Sequence, residues 1–372
     1  MRTIIIICSL LLVSLGLPVA ADSFPDPLDT PAQISTLATE SHLNGIASLE
    51  SGELVAVGRR GHILRSEDGE AWTQVASPVS VDLTNVFFVD GQRGWIVGHD
   101  GVVMRSDDGG RSWKKQLDGR KANSIMLSFY EKRAEQGESL ARELLPEIKR
   151  MVDAGPVLPF LDVWFRDRNE GYISGAFNLI FHTRDGGESW TPLYHLTENP
   201  RASHLYGIQG VGDELFVAGE LGLVLKLDDE TDRLVSLDVG YDGSFFGLLA
   251  DNERVVVFGL RGHAFESRDE GATWRQVDTG TNQSITSGRW LSGGRLMFGT
   301  LAGQLLVESP SREFQACAAR GLGGLASFSV PGSKEGSNPA VLVGFRGVKK
   351  VQCDDSLKIR AVKSKQRGPE HE

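Results

Sequence analysis

The string "SRDEGATW" at Ser267–Trp274 returns almost unchanged at Ser106–Trp113 ("SDDGGRSW") and Thr183–Trp190 ("TRDGGESW"), and as "SEDGEAW" ending at Trp72. Aligned on these strings, the chain repeats about every 40 residues, which restricts it to folds built from stacked supersecondary units. The unit from Leu83, "LTNVFFVDGQRGWIVGHDGVVMRSDDGGRSWKKQ", reads as four short β-rich runs separated by Gly-rich turns. The same order stands in "HLNGIASLESGELVAVGRRGHILRSEDGEAWTQV", "FLDVWFRDRNEGYISGAFNLIFHTRDGGESWTPL" and "SFFGLLADNERVVVFGLRGHAFESRDEGATWRQV". Three more units, starting at His204, Ser284 and Leu325, keep the middle hairpin and lose the Asp-bearing turn. Seven units of four strands predict an all-β chain, a seven-bladed β-propeller over residues 41–362.

The turn has a mechanical explanation. Asp68, Asp108, Asp185 and Asp269 can accept backbone N–H bonds as Asx-turns do, and the glycines allow positive φ. Trp72, Trp113, Trp190 and Trp274 then cover one blade against its neighbour. Burying each ring removes roughly 150–250 Å² from water. At about 25 cal/mol per Å² that is several kcal/mol gross per blade. The motif is predicted to be a structural staple, not a catalytic group.

These residues resemble the Asp-box, or BNR, repeat. Such repeats occur in sialidases, in sortilin-type receptors and in the photosystem II stability and assembly factor family. The stretch "GWIVGHDGVVMRSDDGGRSW" is most similar to the last, which couples a Gly-Trp strand, a Gly-flanked hairpin and the "T/S-x-DGG-x-x-W" turn in successive blades. The resemblance implies a non-catalytic, exported accessory or assembly factor that binds a membrane protein complex, with photosystem II the family's client. A proteobacterial relative would serve another client, such as an envelope exporter of the resistance–nodulation–division type.

Charge and targeting signals agree with that class. A formal net charge of -10 over 372 residues argues against nucleic acid or an anionic membrane surface as partner. "MRTIIIICSLLLVSLGLPVAA" has the pattern of a signal peptide, residues 1–21, leaving no direct lipid insertion once cleaved. The expected compartment is the periplasm, or the thylakoid lumen in a photosynthetic host, with the free protein a monomer. Cys8 falls inside the signal, so Cys317 and Cys353 remain, either as a disulfide between the last two blades or as two free thiols.

Function is expected on the face opposite the Asp-box turns, where hairpins join second to third strands. Their tips read "GRRG", "GHDG", "GAFN", "GELG", "GLRG", "GTLAG" and "GFRG". Arg59, Arg60, Arg261 and Arg346, with His99 and Asp100, are the predicted partner-binding residues, set around the channel mouth in a lopsided sector because blades one and seven adjoin. Arginine's planar fork suits carboxylate or phosphate recognition, and the resembled family has a similar Arg-rich face. A helical insertion, about 120–159, should rise from this face after blade two, broken at Gly137 and kinked at Pro146. Its stripe of Met126, Phe129, Tyr130, Leu140, Leu144, Ile148 and Met151 either packs on the propeller or docks a partner.

A sialidase-like glycosidase and a sortilin-like peptide receptor are the alternatives. The former needs an arginine triad and a Tyr/Glu nucleophile pair. Of the tyrosines, Tyr172 reads as second strand, while Tyr194, Tyr206 and Tyr241 read as blade junctions. No metal-ligand spacing, Gly-x-Ser-x-Gly elbow or phosphate loop is present, so neither a metal nor a cofactor is expected. Ring closure is assigned either to Ile34–Leu37, within the N-terminal segment 22–40, or to Leu357–Val362, and residues 363–372 read as a polar tail.

Overall fold

Each repeat folds as the alternation of apolar runs and turns requires, into a four-stranded antiparallel sheet whose strands follow chain order. The computed structural model describes residues 24–318, 323–331, 337–354, 359–362 and 365–366. The signal peptide expected at 1–21, with Cys8, lies outside them. The seven blades span residues 43–75, 83–117, 160–192, 205–236, 245–277, 285–318 and 325–362. Second strands such as Leu54–Gly58, Gly94–Gly98 and Val255–Gly259 are buried throughout, so they read as unbroken apolar runs instead of alternating ones. Apolar clusters lie between successive blades. Trp72, for example, shares one with Val341 and Val343 of blade seven.

Every first strand carries a bulge at its second residue. Asn44, Thr84, Leu161, Tyr206, Phe246, Thr286 and Ala326 are skipped in the pairing with the second strand. A bulge re-aims its side chain. Here Asn44, Thr84 and Thr286 each reach the first strand of the next blade, donating to the carbonyls of Leu83 (2.7 Å), Phe160 (2.7 Å) and Leu325 (2.9 Å). The seven re-aimed residues form the inner ring on the tip side.

The ring closes at its C-terminal end. Ile359–Val362 is the fourth strand of blade seven, paired to Gly347–Asp354. Lys365–Gln366 then runs on to pair in parallel with Ala71 and Trp72 of blade one. Residues 34–37 form no strand. The side chain of Gln74, not a backbone ladder, holds this segment, accepting from Ser35 N–H (2.8 Å) and donating to the Gln33 carbonyl (2.9 Å). Upstream, Leu28 is buried in the blade one–two core, and Asp29 takes a two-bonded fork from Arg120 (2.7 and 2.9 Å).

The insertion is a helical hairpin, α1 (Gly119–Glu135) and α2 (Ser139–Asp153). Gly137 turns between them at φ +95, and Pro146 lies inside α2. Asp118 caps α1, accepting from Lys121 N–H at 3.2 Å. Met126, Tyr130, Ile148 and Met151 are buried with Trp95, Phe160 and Trp190, so the apolar stripe covers the blade two–three core. Tyr130 and His195 lock it there: the hydroxyl lies 3.0 Å from Nδ1 and accepts from the His195 N–H at 3.2 Å. Burial pushes His195 down to about 4. No helix among the described residues is long and apolar enough to cross a membrane.

Candidate functional site

The face that carries the Asp-bearing turns commits its carboxylates and hydroxyls to internal bonds. In blade two, Ser106 Oγ accepts from Gly110 N–H (2.9 Å) and donates to Asp108 Oδ1 (2.8 Å). Asp108 also accepts from Ser112 N–H (2.9 Å) and from its hydroxyl (2.5 Å), and Trp113 Nε1 donates to the Gly110 carbonyl (3.2 Å). Blades three and five repeat the carboxylate bonds through Asp185–Ser189 and Asp269–Thr273. Blade one has Ala71 at the hydroxyl position, so Asp68 keeps only the backbone bond there (2.9 Å). Burial raises the Asp108 and Asp185 carboxyls, but these hydrogen bonds outweigh it and hold both below the usual range.

The opposite face presents the hairpin tips one strand out from the inner ring, not at the channel mouth itself. At the tips of blades one to five a side-chain-bearing residue sits in the left-handed region: Arg60 (φ 56), Asp100 (φ 53), Phe177 (φ 51), Leu221 (φ 55) and Arg261 (φ 55). Except at Phe177, where Asn178 follows, the next residue is a glycine that lets the tip press on the next blade's connection. A Cβ on Gly61 (φ +72) would meet the Val79 carbonyl at 2.1 Å.

Arg59 and Arg60 line an open groove of about 640 Å³ with Gln33, Leu37, His42 and His62. Both arginines are exposed. Arg59 keeps a loose contact to Asp82 (3.7 Å), and Arg60 binds that carboxylate through its backbone N–H (2.9 Å). Burial and the neighbouring arginines hold His42 and His62 below the ordinary imidazole range, favouring neutral rings. Arg346 is exposed at the tip of adjacent blade seven, beside Phe345, whose ring stands edge-on to His42 at 4.5 Å. A Cβ at Gly347 would meet the Thr39 carbonyl at 1.8 Å, so blade seven's tip is seated on the segment bordering the groove.

The other predicted tips stand apart. Arg261 binds Ser284 Oγ through its N–H (3.3 Å) on blade five, and no contact among the described residues joins it to the groove. Around blade two the sign reverses. Burial pushes the Asp100 carboxyl up, with Asp26 and Asp82 close enough to add to the shift, and His99 is its neighbour. Arg59, Arg60 and Arg346 therefore lie on the adjoining blades one and seven, with Arg261 apart on blade five. Cys317 is buried in the blade six–seven core and disulfide-bonded; the Cys353 side chain lies outside the described residues.

Two arrangements escaped the sequence reading. Tyr206 is a first-strand residue, not a junction, and its hydroxyl donates to Glu220 Oε1 at 3.1 Å. Burial and Glu220 push it up to about 12, and no arginine among the described residues bonds to either group. That is a satisfied pair without the electropositive setting a nucleophile needs. Near the axis, half-buried Asp162 accepts from Asn85 (2.5 Å), Val163 N–H (2.8 Å) and Ile208 N–H (2.9 Å), tying blades two to four. Arg289 donates to Gly288 (2.7 Å), Ile46 (3.3 Å) and Ser327 Oγ (3.4 Å), tying blades six, seven and one. One polar residue per blade, set in an apolar run, was the only available signal.

The chain matches a family model described as photosynthesis system II assembly factor YCF48 over residues 64–135 and 150–240. It is 26% identical over 180 residues to the photosystem II assembly protein Ycf48 of Thermosynechococcus vestitus, covering 47% of this chain and 42% of that one. It is 24% identical over 159 residues to the photosystem II assembly lipoprotein Ycf48 of a Synechococcus species, covering 42% and 37%. The chain thus spans less than half the length of these curated relatives. Two solved structures share its fold: YCF48 bound to D1 peptide (TM-score 0.59, 14% identity, 86% of this chain and 97% of that one) and the WD40 propeller domain of Doa1 (TM-score 0.60, 8% identity, 89% and 98%). The family model and both curated relatives support the resemblance to the photosystem II assembly factor-like propeller family.

Proposed function

We propose that this propeller, similar in sequence to photosystem II assembly factors, is a non-catalytic accessory factor that docks an acidic segment of a membrane protein complex at the blade seven–one groove. The observation that carries it is the basic groove: Arg59 and Arg60 line an open cavity, with Arg346 exposed on the adjoining tip, in a chain of net charge -10. Guanidinium groups in this setting favour carboxylates, and the shallow, solvated groove suits reversible docking. The YCF48 solved with a D1 peptide shows that a relative by fold takes a peptide ligand. Arg261, His99 and Asp100 join the same face at its periphery. The N-terminal residues 1–21 support export to the periplasm or lumen, where the client's exposed loops would lie.

The test is affinity purification from the native host with membrane proteins retained. The wild-type protein should recover a membrane complex at low salt, with recovery falling as salt rises. Arg59→Glu with Arg60→Glu should abolish that recovery while the melting temperature stays within a few degrees, since exposed substitutions usually cost under about 0.5 kcal/mol. Undiminished recovery by the double variant would remove the groove from the mechanism.

A further inference from the structure

Apart from Phe24, the exposed large apolar side chains among the described residues all belong to the tip face or the segments beside it; the Asp-box loops have none. Two of them, Phe177 and Leu221, are half-exposed tips of blades three and four, both left-handed. Phe177 is followed by a second left-handed residue, Asn178 (φ 64), which is buried. Asn178 donates to Thr197 Oγ1 (2.7 Å) and accepts from Asn199 (3.0 Å), which also bonds Ser203 at both ends. Such strain persists only where the surroundings over-determine it, and it concentrates at working sites. The network anchors the backbone just after Phe177, whose ring stands half-exposed above it.

From Phe177 a line of rings runs inward. Phe177 stands edge-on to His204 (4.5 Å), His204 to Tyr206 (6.1 Å) and Tyr206 to Phe246 (5.7 Å). Tyr206 and Phe246 are bulged inner-ring residues, with Leu161 of blade three beside them in the ring. The remaining inner-ring residues, Asn44, Thr84, Thr286 and Ala326, are small. The only carboxylate along the line, Glu220, already accepts from Tyr206 and from His204 N–H (3.0 Å). His204 Nδ1 is likewise engaged by Phe177 N–H (3.0 Å). The line therefore offers ring surface without an uncommitted charge.

We infer that the aromatic line at blades three to five is a second contact sector, receiving an apolar side chain of the same extended segment whose carboxylates dock at Arg59, Arg60 and Arg346. It rests on the docking reading above. The two sectors share one face across the channel mouth. Charge complementarity sets the polarity of the occupant: acidic toward blades seven and one, aromatic or branched aliphatic toward blades three to five. Preformed aromatic anchors of this kind dominate affinity in peptide and protein interfaces.

The protein without residues 1–21 is titrated by fluorescence anisotropy with labelled synthetic peptides, made in both chain directions. One carries four Asp/Glu residues and a Gly-Ser spacer, one the spacer with Leu-Phe, and one both ends. Spacers run from about four to twelve residues, each adding roughly 3.3 Å of reach. At its best spacer, the bipartite peptide should bind at least about tenfold tighter than the acidic one. Phe177→Ser with Leu221→Ser should erase that advantage and leave the acidic peptide's Kd within about twofold. An advantage absent at every spacer, or a variant that weakens both peptides alike, overturns the aromatic sector. An acidic peptide indifferent to Arg59→Glu/Arg60→Glu overturns the docking reading instead, and no binding by any peptide overturns both.

Discussion

The two ends of the propeller use the same tight, left-handed turn in opposite ways. On the Asp-box face the left-handed places belong mainly to glycine, as in Gly109, Gly110, Gly186 and Gly187, and the neighbouring hydroxyls and carboxylates are spent on internal bonds. On the tip face the equivalent conformation is occupied by Arg60, Phe177, Leu221 and Arg261, whose side chains project outward. A turn that only has to hold the chain removes the side chain and satisfies the backbone. A turn that must present a side chain keeps it despite the steric cost. Stability should therefore reside on one face and binding on the other.

The largest test of that division is Trp113→Ala. The ring is buried between blades one and two and its Nε1 is bonded to Gly110, so truncation removes packing and leaves a carbonyl short of a donor. A loss of about 3–5 kcal/mol is expected in urea unfolding. Below its melting point the variant should still bind the acidic peptide within about twofold. A loss of binding by folded protein would mean that the two faces are coupled.

Asp185→Ala probes the same face through pH, with an expected cost of about 1–2 kcal/mol at pH 7. Burial raises this carboxyl, but the Ser189 and Thr183 bonds outweigh it and its folded pKa lies below the unfolded value. Its contribution is then present above about pH 4 and lost as pH falls through the folded pKa. The stability gap between wild type and variant should be flat from pH 7 to 5 and narrow below about 4. A gap independent of pH down to 2.5 would show that the carboxylate's ionisation does not matter to the staple.

The repeat made the fold legible because each turn string marks the same point in a four-strand unit, and the three units without it keep the hairpin that precedes it. The staple was legible in part for the same reason: Asp, Gly and Trp in one recurring order mark the Asp-to-backbone bonds and the ring that packs, whereas the Ser/Thr hydroxyl and Trp Nε1 bonds emerge only in the folded turn. The face was not resolved so well. Arg59, Arg60 and Arg346 stand near one another because blades one and seven meet at closure, whereas Arg261 has the same local sequence on a distant blade. The bulges were invisible, since a skipped residue leaves no mark in composition, and so Tyr206 was placed at a junction instead of in the inner ring. Asp162 and Arg289 are 127 positions apart, and only ring geometry brings their blades around one axis.

The smallest effect gives the sharpest comparison, because one chemical change can be made on both faces. Leu221 (φ 55) and Glu270 (φ 57) are left-handed residues at a tip and at an Asp-box turn. Replacing either with glycine relieves roughly 1–2 kcal/mol of steric strain, offset by about 0.5–1 kcal/mol of added freedom in the unfolded chain. Each variant should gain between about 0 and 1.5 kcal/mol, with Glu270→Gly gaining less because Glu270 also pairs with Lys226 at 3.1 Å. Binding should separate them. Leu221→Gly removes an exposed apolar side chain and should weaken the bipartite peptide severalfold, while Glu270→Gly should leave every peptide unchanged. Equal binding by the two variants would mean that the strained tip residue is kept for the backbone alone, and the distinction between a holding turn and a presenting turn would fail at blade four.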